Sequence, residues 1–109
     1  MDIDLELRFK KLQKELEKNF SEELDVTAIL FLIGVQELGK GVQKFSKQEK
    51  TELIHVAICT LLEKSGFYTF IGKDEDGWPH FKLTKKLPYL DDKEQKHLIK
   101  EAILDYFEF

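Results

Sequence analysis

The sequence predicts an α+β fold that is mostly helical, with about four helices and one β-hairpin between the third and fourth. Two observations carry this prediction. Helical periodicity and capping signals mark four segments, residues 4–20, 25–39, 46–64 and 92–107. Residues 67–84 instead carry strand formers on both sides of a loop that ends in Asp76-Gly77. A winged helix has a similar order of elements, so that architecture is a second possibility.

The composition is that of one folded domain spanning residues 1–109. Hydrophobic residues make up 42% of the 109 positions and charged residues 35%, a balance that excludes a disordered chain. The formal charge is −4, and Arg8 is the only arginine, which argues against nucleic acid as the main partner. A single cysteine, Cys59, fits a reducing compartment, and the acidic N-terminus has no signal-peptide pattern. We therefore expect a cytoplasmic protein without a membrane segment.

The first helix is predicted from a narrow apolar stripe with helical spacing. Its members recur at steps of four, three, four and four residues: Leu5, Phe9, Leu12, Leu16 and Phe20. Such a stripe suits docking along the central helix or pairing with a second copy of the chain. Two heptads are short for an independent coiled coil, which favours docking.

The second helix is the segment around which we expect the others to pack. Residues 28–35 carry no polar side chain, so this stretch must be covered by protein on every side. A buried strand is the alternative, but Asp25 offers an N-cap and Gly39 a C-terminal stop, which favour a helix. Gly34 costs about 1 kcal/mol relative to alanine inside a helix. We therefore predict a close helix crossing at Gly34.

The third helix begins with a capping box formed by Ser46 and Glu49. Its wide apolar face consists of Leu53, Ile54, Ala57, Ile58 and Leu61. Val56 and Cys59 fall outside the centre of that face. They predict a second buried side, either within the fold or in an oligomer.

The hairpin and the last helix complete the fold. Pro79 cannot donate to a strand ladder, so the second strand is predicted to be an edge, or to turn its proline nitrogen to solvent. Asp91 or Asp92 caps the last helix, and Asp91 with Glu94 forms a possible second capping box.

The hairpin holds the densest aromatic group of the chain, which suggests a partner-binding surface. The residues chosen for this surface are Tyr68, Trp78 and His80, with Val56 as a contributor from the third helix. For the same aromatic residues a hydrophobic core beneath the hairpin is the more common role, and a small-molecule pocket is the least favoured of the three. The interpretation that we favour is a non-enzymatic interaction module, as a homodimer or bound to another protein.

An alternative function is a small-molecule or metal-binding protein, or an enzyme, that uses His55, Cys59 and His80. His55 and Cys59 stand one helical turn apart, as a thiol and its base or as half of a metal site. A zinc site needs about four ligands, and no second cysteine exists. Residues 74–77 match part of a calcium-binding loop, but the residues needed as its first and last ligands are missing. We therefore expect no metal and no cofactor.

A winged-helix regulator is the second alternative, and the charges oppose it. The predicted wing tip carries Asp74, Glu75 and Asp76 against one lysine, Lys73, whereas a wing that binds DNA is expected to be basic.

Three segments, LFLIGVQELGKG (30–41), HVAICTLLE (55–63) and DEDGWPHF (74–81), resemble in that order a set of small bacterial proteins of unassigned function. The resemblance covers about residues 25–107. It implies a single compact domain. No known activity and no catalytic residues come with the resemblance.

Overall fold

The computed structural model describes residues 3–20, 23–41 and 43–109. Its helices are α1 (Ile3–Glu17), α2 (Val26–Leu38), α3 (Lys47–Glu63) and α4 (Asp92–Tyr106), and its strands are β1 (Tyr68–Lys73) and β2 (Pro79–Leu83). The predicted α+β class is confirmed, as is the position of the hairpin between the third and fourth helices. In the described part of the chain, every helix is too short or too polar to cross a bilayer.

The helix ends follow the capping signals of the sequence. Asp25 accepts a hydrogen bond from the Ala28 amide, and Gly39 ends α2 in the left-handed conformation at φ +73°. Both capping boxes form, the first by Ser46 and Glu49 and the second with Asp91 as the cap of α4. These local bonds satisfy amides that the helices themselves leave unpaired.

The close crossing predicted at Gly34 joins α2 to α3. A Cβ atom built on Gly34 would lie 2.1 Å from the Leu53 carbonyl oxygen, so only glycine lets the two backbones approach this closely. Ile29 and Ile33 are completely or almost completely buried on α2. The predicted cover is incomplete, however, because Phe31, Leu32 and Val35 are only half-buried, and α3 is the helix that contacts most of the other elements.

Helix α1 packs on its own chain. Leu5, Phe9 and Leu12 are buried in one cluster with residues of α2, α3 and α4, and α1 lies closest to α4. The predicted stripe extends to Phe20, but the helix ends at Glu17 and Phe20 is exposed. The reason is tertiary, because Glu17 accepts a hydrogen bond from the Leu24 amide and the returning chain stops the helix there.

The second buried side of α3 also lies within the fold. Val56 and Cys59 are buried, as their position outside the main apolar face predicted. A smaller cluster of Leu38, Phe45 and Leu53 lies beside them, and the half-buried Trp78 packs against it. The hairpin is thereby attached to α3 through its loop, and of its two strands β1 makes the larger contact with that helix.

The two strands form an antiparallel hairpin in which both are edges. Phe70 pairs with Phe81, and their rings meet edge to face at 5.7 Å between centroids. The register shifts between Phe70 and Gly72, which leaves Ile71 as a bulge. The Phe70 amide donates to Glu63 of α3, which ties the outer edge of β1 to that helix. Pro79 is buried at the start of β2.

Candidate functional site

A groove of about 660 Å³ separates the first three turns of α3 from the hairpin loop and β2. We call it the α3–hairpin groove. Its floor is apolar and is formed by Val56 and Cys59 of α3 with Trp78, Pro79 and Phe81 of the hairpin. Trp78 and Phe81 are half-buried, so part of each aromatic ring is open to an occupant. The floor thus has two partly accessible aromatic residues, whereas Val56, Cys59 and Pro79 are buried.

The rim of the groove is acidic. Glu49 and Glu52 line it from α3, and Asp74 and Asp76 line it from the hairpin loop, while no lysine or arginine of the described chain does so. Within the same described residues, the ion pairs leave out Glu49, Glu52 and Asp76. Three carboxylates of the rim thus have no ion-pair partner in the described chain, although the Lys40 side chain packs beside Gly77 of the same loop.

Asp74 organises the hairpin loop. Its Oδ1 atom accepts hydrogen bonds from the amides of Asp76 and Trp78, each at 3.0 Å. Its Oδ2 atom lies 2.9 Å from Nε2 of His80. The bond from His80 is the main cause that lowers the pKa of Asp74, with the Trp78 amide next. An ionised carboxylate only accepts, so His80 carries a proton on Nε2 and presents its other ring nitrogen away from Asp74.

The loop has no arrangement of ligands that resembles a calcium site. The Asp74 carboxylate is already occupied by two amides and an imidazole of its own hairpin. Across residues 3–20, 23–41 and 43–109, no three His, Cys, Asp or Glu side chains are placed to hold a metal ion. The acidic turn is therefore a loop whose conformation is held by hydrogen bonds to its own Asp74 carboxylate.

His55 and Cys59 meet as their spacing on α3 predicted. The Cys59 Sγ atom lies 3.5 Å from Nε2 of His55. His55 is exposed at the groove, whereas only 1% of Cys59 is accessible to solvent. Burial raises the pKa of the Cys59 thiol to about 11, so at neutral pH the side chain is a thiol and not the nucleophilic thiolate.

The structure brings together five of the six residues singled out in the sequence. Trp78 and His80 from the partner-surface hypothesis share the groove with His55 and Cys59 from the ligand-site hypothesis, and Val56 forms part of the floor. Val56 is only 5% exposed, so it supports the floor more than it offers contact area. Tyr68 does not line the groove; it lies on β1 opposite Leu83.

Sequence reasoning missed the acidic rim. Its signal was present, because Glu49, Glu52, His55, Val56 and Cys59 follow one another at steps of three, three, one and three along α3. That spacing places them on one side of a helix. The stripe changes along its length from carboxylates near the N-terminus of α3 to apolar side chains further on.

No protein-family model matches this chain, and no curated protein or solved structure was found to be similar to it.

Proposed function

We propose that this chain is a non-enzymatic protein-interaction domain that binds its partner in the α3–hairpin groove. The observation that carries the proposal is the anatomy of the groove, with half-buried aromatic rings on an apolar floor inside a polar rim. Protein interfaces share this layout, in which aromatic side chains near the centre supply most of the binding energy and charged groups surround them.

The rigidity of the groove supports the same function. The indole of Trp78 packs against Leu38, Phe45 and Leu53, and the loop that carries it is held by Asp74. A surface that is already ordered loses little conformational entropy when a partner binds. A cytoplasmic location belongs to this proposal, because the one cysteine is buried as a free thiol.

The second candidate function is binding or conversion of a small molecule by His55, Cys59 and His80. It is favoured by one observation, that all three side chains line the same groove. A Cys59 nucleophile would need a thiolate, and burial of the thiol opposes that state.

Thiol labelling separates the two candidates. We expect Cys59 in the native chain to react with a small alkylating reagent far more slowly than in the urea-unfolded chain, because the sulfur is buried and protonated. The rate at pH 7 is measured by mass spectrometry. Native labelling as fast as that of the unfolded chain would favour the nucleophile. If His55 acted as a base on the thiol, a His55→Ala variant would be labelled more slowly than the parent. We expect the labelling rate of Cys59 to be the same in both.

The interaction proposal is tested by site-specific photo-crosslinking in the cells that naturally produce this protein. A photoreactive residue replaces Glu52 or, in a second variant, His80; both positions are exposed at the groove. We expect protein adducts from both positions when the partner occupies the groove. The matched controls replace Lys93 and Lys96, which are exposed on α4 at a different groove, and we expect from them no adduct of the mass obtained from Glu52 and His80.

Equal adducts from the groove and from α4, or none from the groove, would contradict the proposal. Circular dichroism confirms that each variant keeps the helical content of the parent. All four positions are solvent-exposed, so the replacements leave the core unchanged.

A further inference from the structure

We infer that the occupant of the α3–hairpin groove is helix α1 of a second copy of this chain. This inference rests on the function proposed above and names its partner. It is drawn from the outer face of α1, which is the side of the helix opposite its buried stripe.

The outer face of α1 is apolar at its beginning and basic further on. At 100° per residue, Ile3, Leu7, Lys10 and Lys14 lie within about 60° of the direction opposite the buried stripe. Ile3 and Leu7 are 69% and 57% exposed, although each is a large hydrophobic side chain. The pair stands one turn apart, so it forms a continuous apolar patch that the protomer does not cover.

The lysines of this face are available for a partner. Arg8 and Lys18 of this segment are each paired with a carboxylate of α1, whereas the exposed Lys11 lies outside the ion pairs. In the described part of the chain, the ion pairs do not include Lys10 or Lys14. The outer face thus combines exposed apolar area with lysines that form no ion pair, although Glu17, Glu23 and Asp25 line a groove together with them. The α3–hairpin groove combines an apolar floor with carboxylates that form no ion pair, so the two surfaces are complementary in charge.

The order of the two surfaces fixes the direction of docking. On α3, the carboxylates of Glu49 and Glu52 precede the apolar Val56 and Cys59. On α1, the apolar pair precedes the lysines. An antiparallel arrangement therefore places Ile3 and Leu7 over the floor, and Lys10 and Lys14 beside Glu52 and Glu49.

The spacing of the two surfaces agrees with this arrangement. The midpoint of Ile3 and Leu7 lies about seven residues before the midpoint of Lys10 and Lys14, and the same separation relates the two pairs on α3. Both separations correspond to about 10 Å along a helix axis. The lysines thus lie level with the carboxylates when the apolar pair lies level with the floor, whose accessible residues are Trp78 and Phe81.

Charge reversal tests the inference with the full-length chain. The groove variant carries Glu52→Lys and Asp76→Lys, and the α1 variant carries Lys10→Glu and Lys14→Glu. We expect the parent chain to self-associate in sedimentation equilibrium more strongly at about 0.01 M than at about 1 M salt, because ions screen exposed charge pairs. Each variant alone should associate at least about tenfold more weakly, since like charges then face each other across the contact.

Mixing the two variants gives the decisive measurement. The acidic α1 of one variant complements the basic groove of the other, and the unchanged surfaces of the two chains still fit, so association returns to that of the parent. Because the contact joins two different surfaces, a reciprocal dimer and a longer head-to-tail assembly both support the inference. The matched control, Lys93→Glu with Lys96→Glu on α4, changes the net charge by the same amount and sign as the α1 variant and should leave association unchanged.

A parent chain that stays monomeric up to about millimolar concentration, the weak end of specific binding, overturns the inference. So does a mixture of variants that does not associate. The crosslinks from Glu52 and His80 show whether only the second copy is excluded as the partner or whether the proposed interaction function fails as well. Adducts of another mass on a monomeric chain keep the interaction function and exclude the second copy, whereas twice the mass of one chain supports both.

Discussion

Replacing Gly34 with alanine is expected to destabilise the fold by about 3 kcal/mol or more, a large part of the stability of a domain this size. The new Cβ atom would lie 2.1 Å from the Leu53 carbonyl oxygen and 2.7 Å from its carbonyl carbon. These are backbone atoms, so no side-chain rotation relieves the contact, and α2 and α3 must move apart. Urea denaturation followed by circular dichroism measures the loss.

The sign of this prediction is informative, because alanine is favoured over glycine by about 1 kcal/mol in a helix interior. Gly39→Ala serves as the matched control. Gly39 has a positive φ of 73°, but a Cβ atom added there would meet no other atom within 4 Å. Alanine at this position should therefore cost only about 1 kcal/mol of conformational strain. A Gly34→Ala chain as stable as the parent would mean that α2 and α3 do not cross at this point.

The helices were predictable because their signals are local. Asp25, Ser46 and Asp91 bond to amides three residues away, and Gly39 adopts the left-handed conformation at the end of its own helix. The crossing at Gly34 was predictable for a different reason. A glycine that weakens a buried helix has to be compensated by close packing, and the compensation is the Leu53 backbone.

The α3–hairpin groove could not be located from the sequence, because its two walls are separate segments of the chain. Glu52 and Asp76 are 24 positions apart, and their side of the fold depends on how the hairpin turns back onto α3. The position of Trp78, in the core or at the surface, was also not predictable from the sequence. An aromatic residue near a turn is consistent with core or with surface, and here one side of the indole packs on Leu53 while the residue also lines the groove.

The end of α1 was also beyond local reasoning. The apolar spacing continues to Phe20, but hydrogen bonds from the Gln13 side chain to the Leu24 carbonyl and from the Leu24 amide to Glu17 hold the returning chain against the helix. Tertiary bonds of this kind override periodicity in the final turn. Phe20 is consequently left outside the cluster that buries the rest of the stripe.

Replacing Phe9 with alanine is the second change with a large expected effect, a loss of about 3–5 kcal/mol. Phe9 is 3% exposed within the main core cluster, and the Lys100 ammonium group lies 5.2 Å from the centre of its ring. The substitution leaves a cavity between α1 and α4 and removes the cation–π contact. We expect Tm to fall by more than about 10 °C, given the enthalpy of unfolding typical of about 100 residues.

Phe20→Ala is the control for Phe9→Ala, because it removes the same side chain from an exposed position of the same stripe. Its Tm should stay within a few degrees of the parent value, since surface changes usually alter stability by less than about 0.5 kcal/mol. Equal losses from both variants would mean that α1 continues through Phe20 and packs along its whole length.

The dependence of Tm on protein concentration shows which face of α1 packs within one chain and which contacts a second chain. The inner face, with Phe9, packs within one chain, so at about 1 M salt the Tm of the parent and of Phe9→Ala should not change with protein concentration. At about 0.01 M salt the outer face adds an intermolecular contact, and the Tm of the parent should rise with concentration. The α1 variant with Lys10→Glu and Lys14→Glu should lose that rise at low salt while Phe9 stays buried. A Tm that depends on concentration at high salt would instead place the Phe9 face in contact with a second chain.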